Sequence, residues 1–450
     1  MDQSIQLNIK NNIGNKATIS PAHKQLKLLI WAYFFLLIFE GALRKWVLPG
    51  LSGPLLLIRD PLVLYILLKA WYQKLLPSSF YSTAMVCIGV LSIITAVLFG
   101  HGNLLVALFG ARIFIIEIPL IFVIGKLFSR EDVIKMGNFM LWIAIPMTIL
   151  VALQFYSPQS ARVNKGVGEA EAIGFAGALG FFRPSGTFSF TTGLTLFYSL
   201  LVCFVLYFWI NIEKIKKALL ISATIALIIA IPLTISRSLT FQAVLSLMFV
   251  MVAVIRNPKY TGKVLISLVI GVVFLLILSR ASIFSTATGV LSQRFENAGH
   301  VEGGLQGTLI NRFLGGLVEA IYNSSTLPFL GYGVGLGTNV GSALLTGSRG
   351  FLIAEGEWGR LLGELGPLMG LIVIFLRISL SFGLLKKAFY SLRSDNLLPW
   401  VLASASLLLL IQGQWGQPTS LGFCVLTIGI MIASFKERSL NTGRYKKDNS

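Results

Sequence analysis

The sequence predicts an all-α polytopic membrane protein of about twelve transmembrane helices, with a large external loop containing an amphipathic helix. Three observations predict this fold. Of 450 residues, 55% are hydrophobic and only 12% charged, where soluble domains carry roughly 25% charged residues. Mean hydropathy is +0.80, and apolar runs of membrane-crossing length recur along the chain. Lysine and arginine gather in every second connection between those runs, as membrane topology requires.

A spanning helix needs about 20 predominantly apolar residues. Residues 1–25 are polar and read as a cytoplasmic tail, and the apolar run that follows is too long for the core of a cleaved signal peptide. Candidate spans are 26–43, 54–71, 83–100, 104–127, 137–156, 190–211, 217–235, 238–255 and 263–280, followed by 366–385, 397–413 and 418–435. Lys10, Lys16, Lys24 and Lys27 precede the first span. The clusters Lys69/Lys74, Lys126/Arg130/Lys135, Lys214/Lys216/Lys217, Arg256/Lys259/Lys263 and Lys386/Lys387/Arg393 then occupy alternate connections. Lys436, Arg438, Arg444, Lys446 and Lys447 mark the tail, 436–450. An even number of spans with both termini cytoplasmic accounts for all of them. Two external segments are long, 157–189 and 281–365, and loops of that length are usually functional or disordered. The stretch Leu309–Ile321 in the second has apolar residues at helical spacing and reads as the amphipathic helix.

Composition also excludes function classes. The net charge of +19 is dispersed in short clusters between apolar runs, with no nucleic-acid-binding motif. Three histidines without ligand spacing argue against a zinc site. Cys87, Cys203 and Cys424 lie in apolar runs and read as small buried hydrophobes. Gly331-Tyr-Gly-Val-Gly-Leu-Gly337 lacks the strand–turn–helix frame of a dinucleotide site and reads as a plain loop. No metal or cofactor is expected.

Lysine dominates the cytoplasmic connections, whereas the external ones carry Arg162, Arg183, Arg237, Arg280, Arg294, Arg312, Arg349 and Arg360, with only Lys45 and Lys165 as lysines. Arginine grips phosphate with a planar, bidentate fork and tolerates partial burial. Binding an anionic, lipid-linked pyrophosphate is one role that would account for external arginines; pairing with carboxylates or capping helix ends is the competing explanation for any one of them. Ionisable residues inside spans are functional candidates by default: Arg59–Asp60, Arg112 with Glu117, Glu40 with Arg44, and Arg377. Glu40 and Arg44 are four apart and can pair on one helix face, whereas Arg112 and Glu117 face apart, so a partner on another helix is expected. Glu355 and Glu357 stand at the mouth of the tenth span. Glu355 is the candidate general base toward an acceptor hydroxyl, and Glu357 and Glu364 are expected to pair with Arg360 or with the other external arginines. Tyr332, Trp358 and Trp415 are external aromatics able to stack on sugar rings or to sit in an interfacial belt.

The order Arg183-Pro-Ser-Gly-Thr-Phe, a Ser236-Arg237-Ser turn between two spans, Asn311-Arg-Phe, the glycine-rich run and Glu364-Leu-Gly resembles the bacterial O-antigen ligase/polymerase family over roughly residues 180–375. The resemblance implies a GT-C-like fold. It implies transfer of a glycan from an undecaprenyl-diphosphate carrier in the bacterial cytoplasmic membrane, without metal or nucleotide. It maps phosphate-binding arginines onto Arg183, Arg237 and Arg312. Members often carry His-Asn-x-Tyr before Glu-Leu-Gly; here Glu355-Gly-Glu357-Trp358 stands in its place. The expected site is therefore catalytic Glu355 and Arg237, with Arg183, Arg237, Arg312, Arg112, Arg59 and Arg360 on the pyrophosphate. A polysaccharide polymerase is expected before a ligase or a lipid-linked glycan flippase, with the bilayer, the lipid-linked glycan and a chain-length regulator as partners. Transporters usually show internal repeats around a midplane site, and here the polar residues gather at one face.

Overall fold

The computed structural model describes residues 21–167, 174–302, 315–347, 352–354 and 356–436. Eight of the described helices are long and apolar enough to cross a membrane: Pro21–Val47, Phe80–Leu98, Leu104–Leu127, Arg130–Tyr156, Thr191–Ile210, Arg237–Arg256, Pro258–Leu278 and Glu357–Ser394. Three shorter apolar helices, Lys217–Leu233, Leu397–Gln412 and Pro418–Ser434, pack among them. The chain is an all-α polytopic membrane protein. Every stretch expected to span falls on a helix, although the second covers only Arg59–Tyr72, 14 residues.

In chain order the elements are α1 (Pro21–Ala42), α2 (Arg59–Tyr72), α3 (Phe80–Leu98), α4 (Leu104–Arg112), α5 (Ile118–Leu127) and α6 (Arg130–Tyr156). A short antiparallel hairpin follows, β1 (Phe175–Ala176) and β2 (Phe182–Arg183), with Phe175 opposite Arg183. Then come α7 (Thr191–Ile210), α8 (Lys217–Leu233), α9 (Arg237–Arg256), α10 (Thr261–Leu278), α11 (Ser282–Glu302), α12 (Gly316–Asn323), α13 (Asn339–Thr346), α14 (Glu357–Ser391), α15 (Leu397–Gln412) and α16 (Pro418–Ser434). The hairpin was not expected. Two-residue strands are too short to show an alternating pattern.

Helix α7 forms the axis of the bundle. Its central window is 89% buried, against 6% for the span that contains α10, so α10 lies at the rim, where Val264 is its one buried residue among those described. Small polar side chains bind the axis to its neighbours. Cys203 of α7 lies 3.4 Å from Ser404 of α15, Ser404 is 2.8 Å from Ser246 of α9, and Gln242 donates to the Ser404 carbonyl at 3.0 Å. Inside a bilayer, packing of small residues and interhelical hydrogen bonds replace the hydrophobic effect as the force between helices. Cys203 and Cys424 are buried as expected, but Cys87 is exposed on α3, facing outward from the bundle.

The connections meet at two ends. At one, Lys27 pairs with Asp132, Lys436 donates to the Lys126 carbonyl, Lys263 donates to the Ile210 carbonyl and Asn257 to that of Leu392. These are the lysine-bearing connections. At the other, Trp46 donates to the Arg162 carbonyl, His101 to that of Tyr332 through its backbone N–H, and Arg294 to that of Gly177. This is the arginine end.

Helix α14 begins earlier than the span 366–385 expected there. It starts at Glu357 and bends at Gly366, whose φ of 77° and ψ of 167° break the helix before Pro367. The glycine-rich run meets the bend: Tyr332 and Gly333 donate backbone N–H groups to the Gly363 and Glu364 carbonyls at 2.8 and 3.1 Å. A proline one residue on cannot supply the usual donor, and this loop takes over. The amphipathic helix expected over 309–321 falls partly outside the described residues, and its latter part is α12.

Candidate functional site

Three groups of ionisable residues lie toward or within the bundle, and two are electrically closed. In the first, Arg59 donates to Glu40 at 3.0 Å and to the Pro418 carbonyl at 2.7 Å, Arg44 reaches the other oxygen of Glu40 at 3.4 Å, and Arg112 pairs with Asp60 of α2 at 2.6 Å. The partner expected for Arg112 on another helix is thus Asp60, while Glu117 accepts from Tyr33 at 3.3 Å.

In the second, Arg360 donates twice to Glu357, at 3.0 and 2.9 Å, and once to Glu364, at 2.5 Å. Arg377 adds a 2.6 Å bond to Glu357, and the Trp415 backbone N–H donates to the same carboxylate. Gly337 donates to the remaining oxygen of Glu364 at 2.8 Å. Every carboxylate oxygen in this group is held. Arg59, Arg112 and Arg360, expected on a pyrophosphate, are therefore balanced by carboxylates within the fold, because a charge shielded from water survives only when paired. Trp358 and Trp415 correct another expectation. They are 3% and 1% exposed, and Trp415 lies under the Arg377 guanidinium at 3.7 Å, so neither ring is open to a sugar. Tyr332 is 43% exposed.

The third group borders an open cleft whose described lining carries cations and no carboxylate. The segment Arg183-Pro-Ser-Gly-Thr-Phe builds it. Gly41 in α1 lets this segment cross the end of the helix: a Cβ there would stand 2.4 Å from the Thr187 carbonyl oxygen. Thr187 donates to the Ile38 carbonyl at 2.7 Å, and Phe188 is buried against Phe197 and Phe423. Gly186 takes φ 58°, a conformation that favours glycine. The Gln154 carboxamide brackets it, accepting from the Gly186 N–H at 2.7 Å and donating to its carbonyl at 3.2 Å.

That carbonyl also accepts from Lys45, at 2.7 Å, and Ser185 accepts from the same ammonium at 3.0 Å. Lys45 is 1% exposed and has no carboxylate partner among the described residues. A cleft of about 460 Å³, including its open mouth, lies beside it. Lys45, Lys165 and Arg183 supply its cations and Gln154, Gln159, Asn164 and Ser189 its neutral polar groups. No carboxylate lines it among the described residues.

Arg183 Nε is buried without a hydrogen-bond partner among the described residues. Burial, followed by the nearby Arg294 and Arg237, pulls the Arg183 guanidinium down to about 10. Arg237 opens α9, where the helix dipole opposes a cation. The turn before it is strained, with Ile235 at φ 48°, a rare conformation for a β-branched residue. Ser236 caps the helix and touches Thr195 of α7 at 3.0 Å. Arg294 comes from α11, through its bond to the Gly177 carbonyl at 3.2 Å.

The structure thus brings Arg183 and Arg237 together and adds Arg294, Lys45 and Lys165. Arg312 and Glu355 lie outside the described residues. In the sequence Lys45 stands out only as one of two external lysines, directly after Arg44 at the end of the first span. Gln154 gave no signal, being one amide near the end of a long apolar helix. Comparisons with protein-family models, with curated proteins and with solved structures give no significant match, so the chemistry of this site rests on its own residues.

Proposed function

We propose that this protein is a polysaccharide polymerase of the bacterial cytoplasmic membrane. It transfers a glycan from an undecaprenyl-diphosphate carrier to a saccharide hydroxyl at the outer face. One observation carries the reading: a cleft at the arginine end is lined by Lys45, Lys165 and Arg183, with Arg237 and Arg294 close by and no carboxylate among the described lining residues. Lys45 and Arg183 are shielded cations with no carboxylate partner among the described residues, and such charges destabilise a protein unless an anion completes them. A diphosphate supplies two phosphoryl groups to such a cluster, and arginine forks match their oxygens.

In this reading the chain crosses the membrane about twelve times with both termini in the cytoplasm, which puts the arginine end outside. The acceptor hydroxyl attacks the anomeric carbon. A new C–O bond forms as the bond to the carrier diphosphate breaks, and the departing diphosphate takes the electron pair. Negative charge grows on its bridging oxygen, where Arg183 and Arg237 stabilise it more in the transition state than in the ground state. The hydroxyl proton passes to a base. Glu357 and Glu364 are held by their internal partners, and Glu355, beside them in the sequence, is the candidate.

Polymer length in cells carrying Arg183→Ala or Arg237→Ala tests the reading. The expected result is collapse to single repeat units on the carrier, with transfer reduced about 10²-fold or more. Full-length polymer left unattached would identify a ligase instead. Accumulation of carrier-linked units on the cytoplasmic face would identify a flippase. Normal polymer from a correctly inserted Arg237→Ala protein would overturn the diphosphate role.

A further inference from the structure

The open cleft has an apolar side as well as a cationic one. Phe175 and Arg183 are directly opposed across the hairpin, and cross-strand partners share one face of a sheet. Both line the cleft. The Phe175 ring lies 5.6 Å from that of Phe190, the residue that precedes α7 and follows the cleft-lining Ser189. These rings are 43% and 48% exposed. The hairpin is anchored at its turn, where Phe181 stacks on Phe155 of α6 at 4.6 Å. Phe175 is thus carried by a hairpin tied to α6 and not by a span.

We infer that the Phe175–Phe190 pair seats the hydrocarbon chain of a long-chain phosphate or diphosphate ester whose charged head lies in the Lys45–Arg183 cleft. The inference rests on the diphosphate reading above and adds the direction in which the ligand lies. The chain leaves past the hairpin and the start of α7. The occupant follows from charge complementarity: an apolar face directly beside a guanidinium matches an amphiphile with an anionic head. Inorganic phosphate or pyrophosphate would use the cations and leave the rings bare. The two phenylalanines are thus specificity-determining residues that separate lipid esters from free anions.

The test measures binding of geranylgeranyl diphosphate and of inorganic pyrophosphate to the full chain in nanodiscs of zwitterionic lipid. Substituting Phe175→Ser and Phe190→Ser together is expected to weaken the lipid ester about tenfold and leave pyrophosphate unchanged. Phe175→Leu with Phe190→Leu restores the ester, because apolar area is retained. Arg183→Ala weakens both ligands. Unchanged ester affinity in the serine variant, or an equal loss for both ligands, would overturn the assignment of the chain to these rings. If the wild-type protein binds neither ligand, the diphosphate reading itself fails, and this inference with it.

Discussion

Arg377 donates to Glu357 at 2.6 Å from twenty residues further along the same bent helix, and both are essentially sealed from solvent. Contact between them needs the bend at Gly366 and the α15–α16 turn, where the Leu410 and Gly413 carbonyls each accept a bond from Arg377 at 2.8 Å. The pair therefore reports whether the head of α14, the glycine-rich run and that turn are assembled.

Removing the Glu357 carboxylate leaves Arg360 and Arg377 without their shared partner. Glu357→Ala is expected to destabilise the protein by about 3–5 kcal/mol, with Glu357→Gln less severe because the amide oxygen still accepts. Thermal unfolding in detergent, alongside the yield of inserted protein, measures both. A wild-type melting profile for Glu357→Ala would show that the cluster does not hold the fold.

Two glycines of α14 are expected to respond oppositely to alanine. At Gly366 a Cβ would stand 2.2 Å from the Phe329 carbonyl oxygen, and φ is 77°. Gly366→Ala should therefore cost well over 1 kcal/mol. At Gly383 no atom lies within 4 Å, and Gly383→Ala should be neutral or stabilising by about 0.5–1 kcal/mol. Melting temperatures of the two variants in one detergent decide the matter.

Arg183 is expected to trade stability for function. Its guanidinium is pulled down to about 10 by burial and by Arg294 and Arg237, so the charged form is disfavoured in the folded state. For a base whose folded value is depressed, that penalty is fully present below the folded value and fades as pH rises through it. Arg183→Met should accordingly raise the stability of the ligand-free protein by about 1–2 kcal/mol, discounted for partial exposure. The gap should stay level from about pH 6 to about pH 9, while glycan transfer falls. A less stable Arg183→Met protein would contradict this account.

Lys45 carries an ammonium bonded only to neutral oxygens among the described residues. Lys45→Met keeps the apolar stem and removes the charge, and it should lower pyrophosphate affinity about tenfold or more with little loss of stability. Titration of pyrophosphate against the purified variant gives the result directly. Equal affinity would remove Lys45 from the site.

Much of the scaffold was legible in the sequence because membrane helices announce themselves locally. Apolar runs set where α1, α3, α6, α7 and α9 form, and the spacing of Glu40 and Arg44 placed both on one face before any contact was known. The pairing of Glu357 and Glu364 with Arg360 was readable for the same reason, since the three lie within two turns of one helix. Arg59 and Arg112 were not sorted in this way. Their partners, Glu40 and Asp60, are 19 and 52 residues distant, and no spacing rule reaches that far. The sealed state of Trp358 and Trp415 depends likewise on Arg377 and on the turn that folds over it.

Sequence alone determined that this is a membrane-embedded helical bundle with arginines and lysines segregated between alternate connections. Hydropathy and charge act residue by residue against a bilayer, and so can be read in one dimension. Tertiary structure decided which cations are balanced and which are open. Lys45 and Arg183 come from separate parts of the chain, and they share a cleft because Gly41 and Gly186 let one loop lie against the end of α1, with Arg237 and Arg294 near Arg183. Charge compensation depends on distance through space, and that distance exists only once the helices are packed.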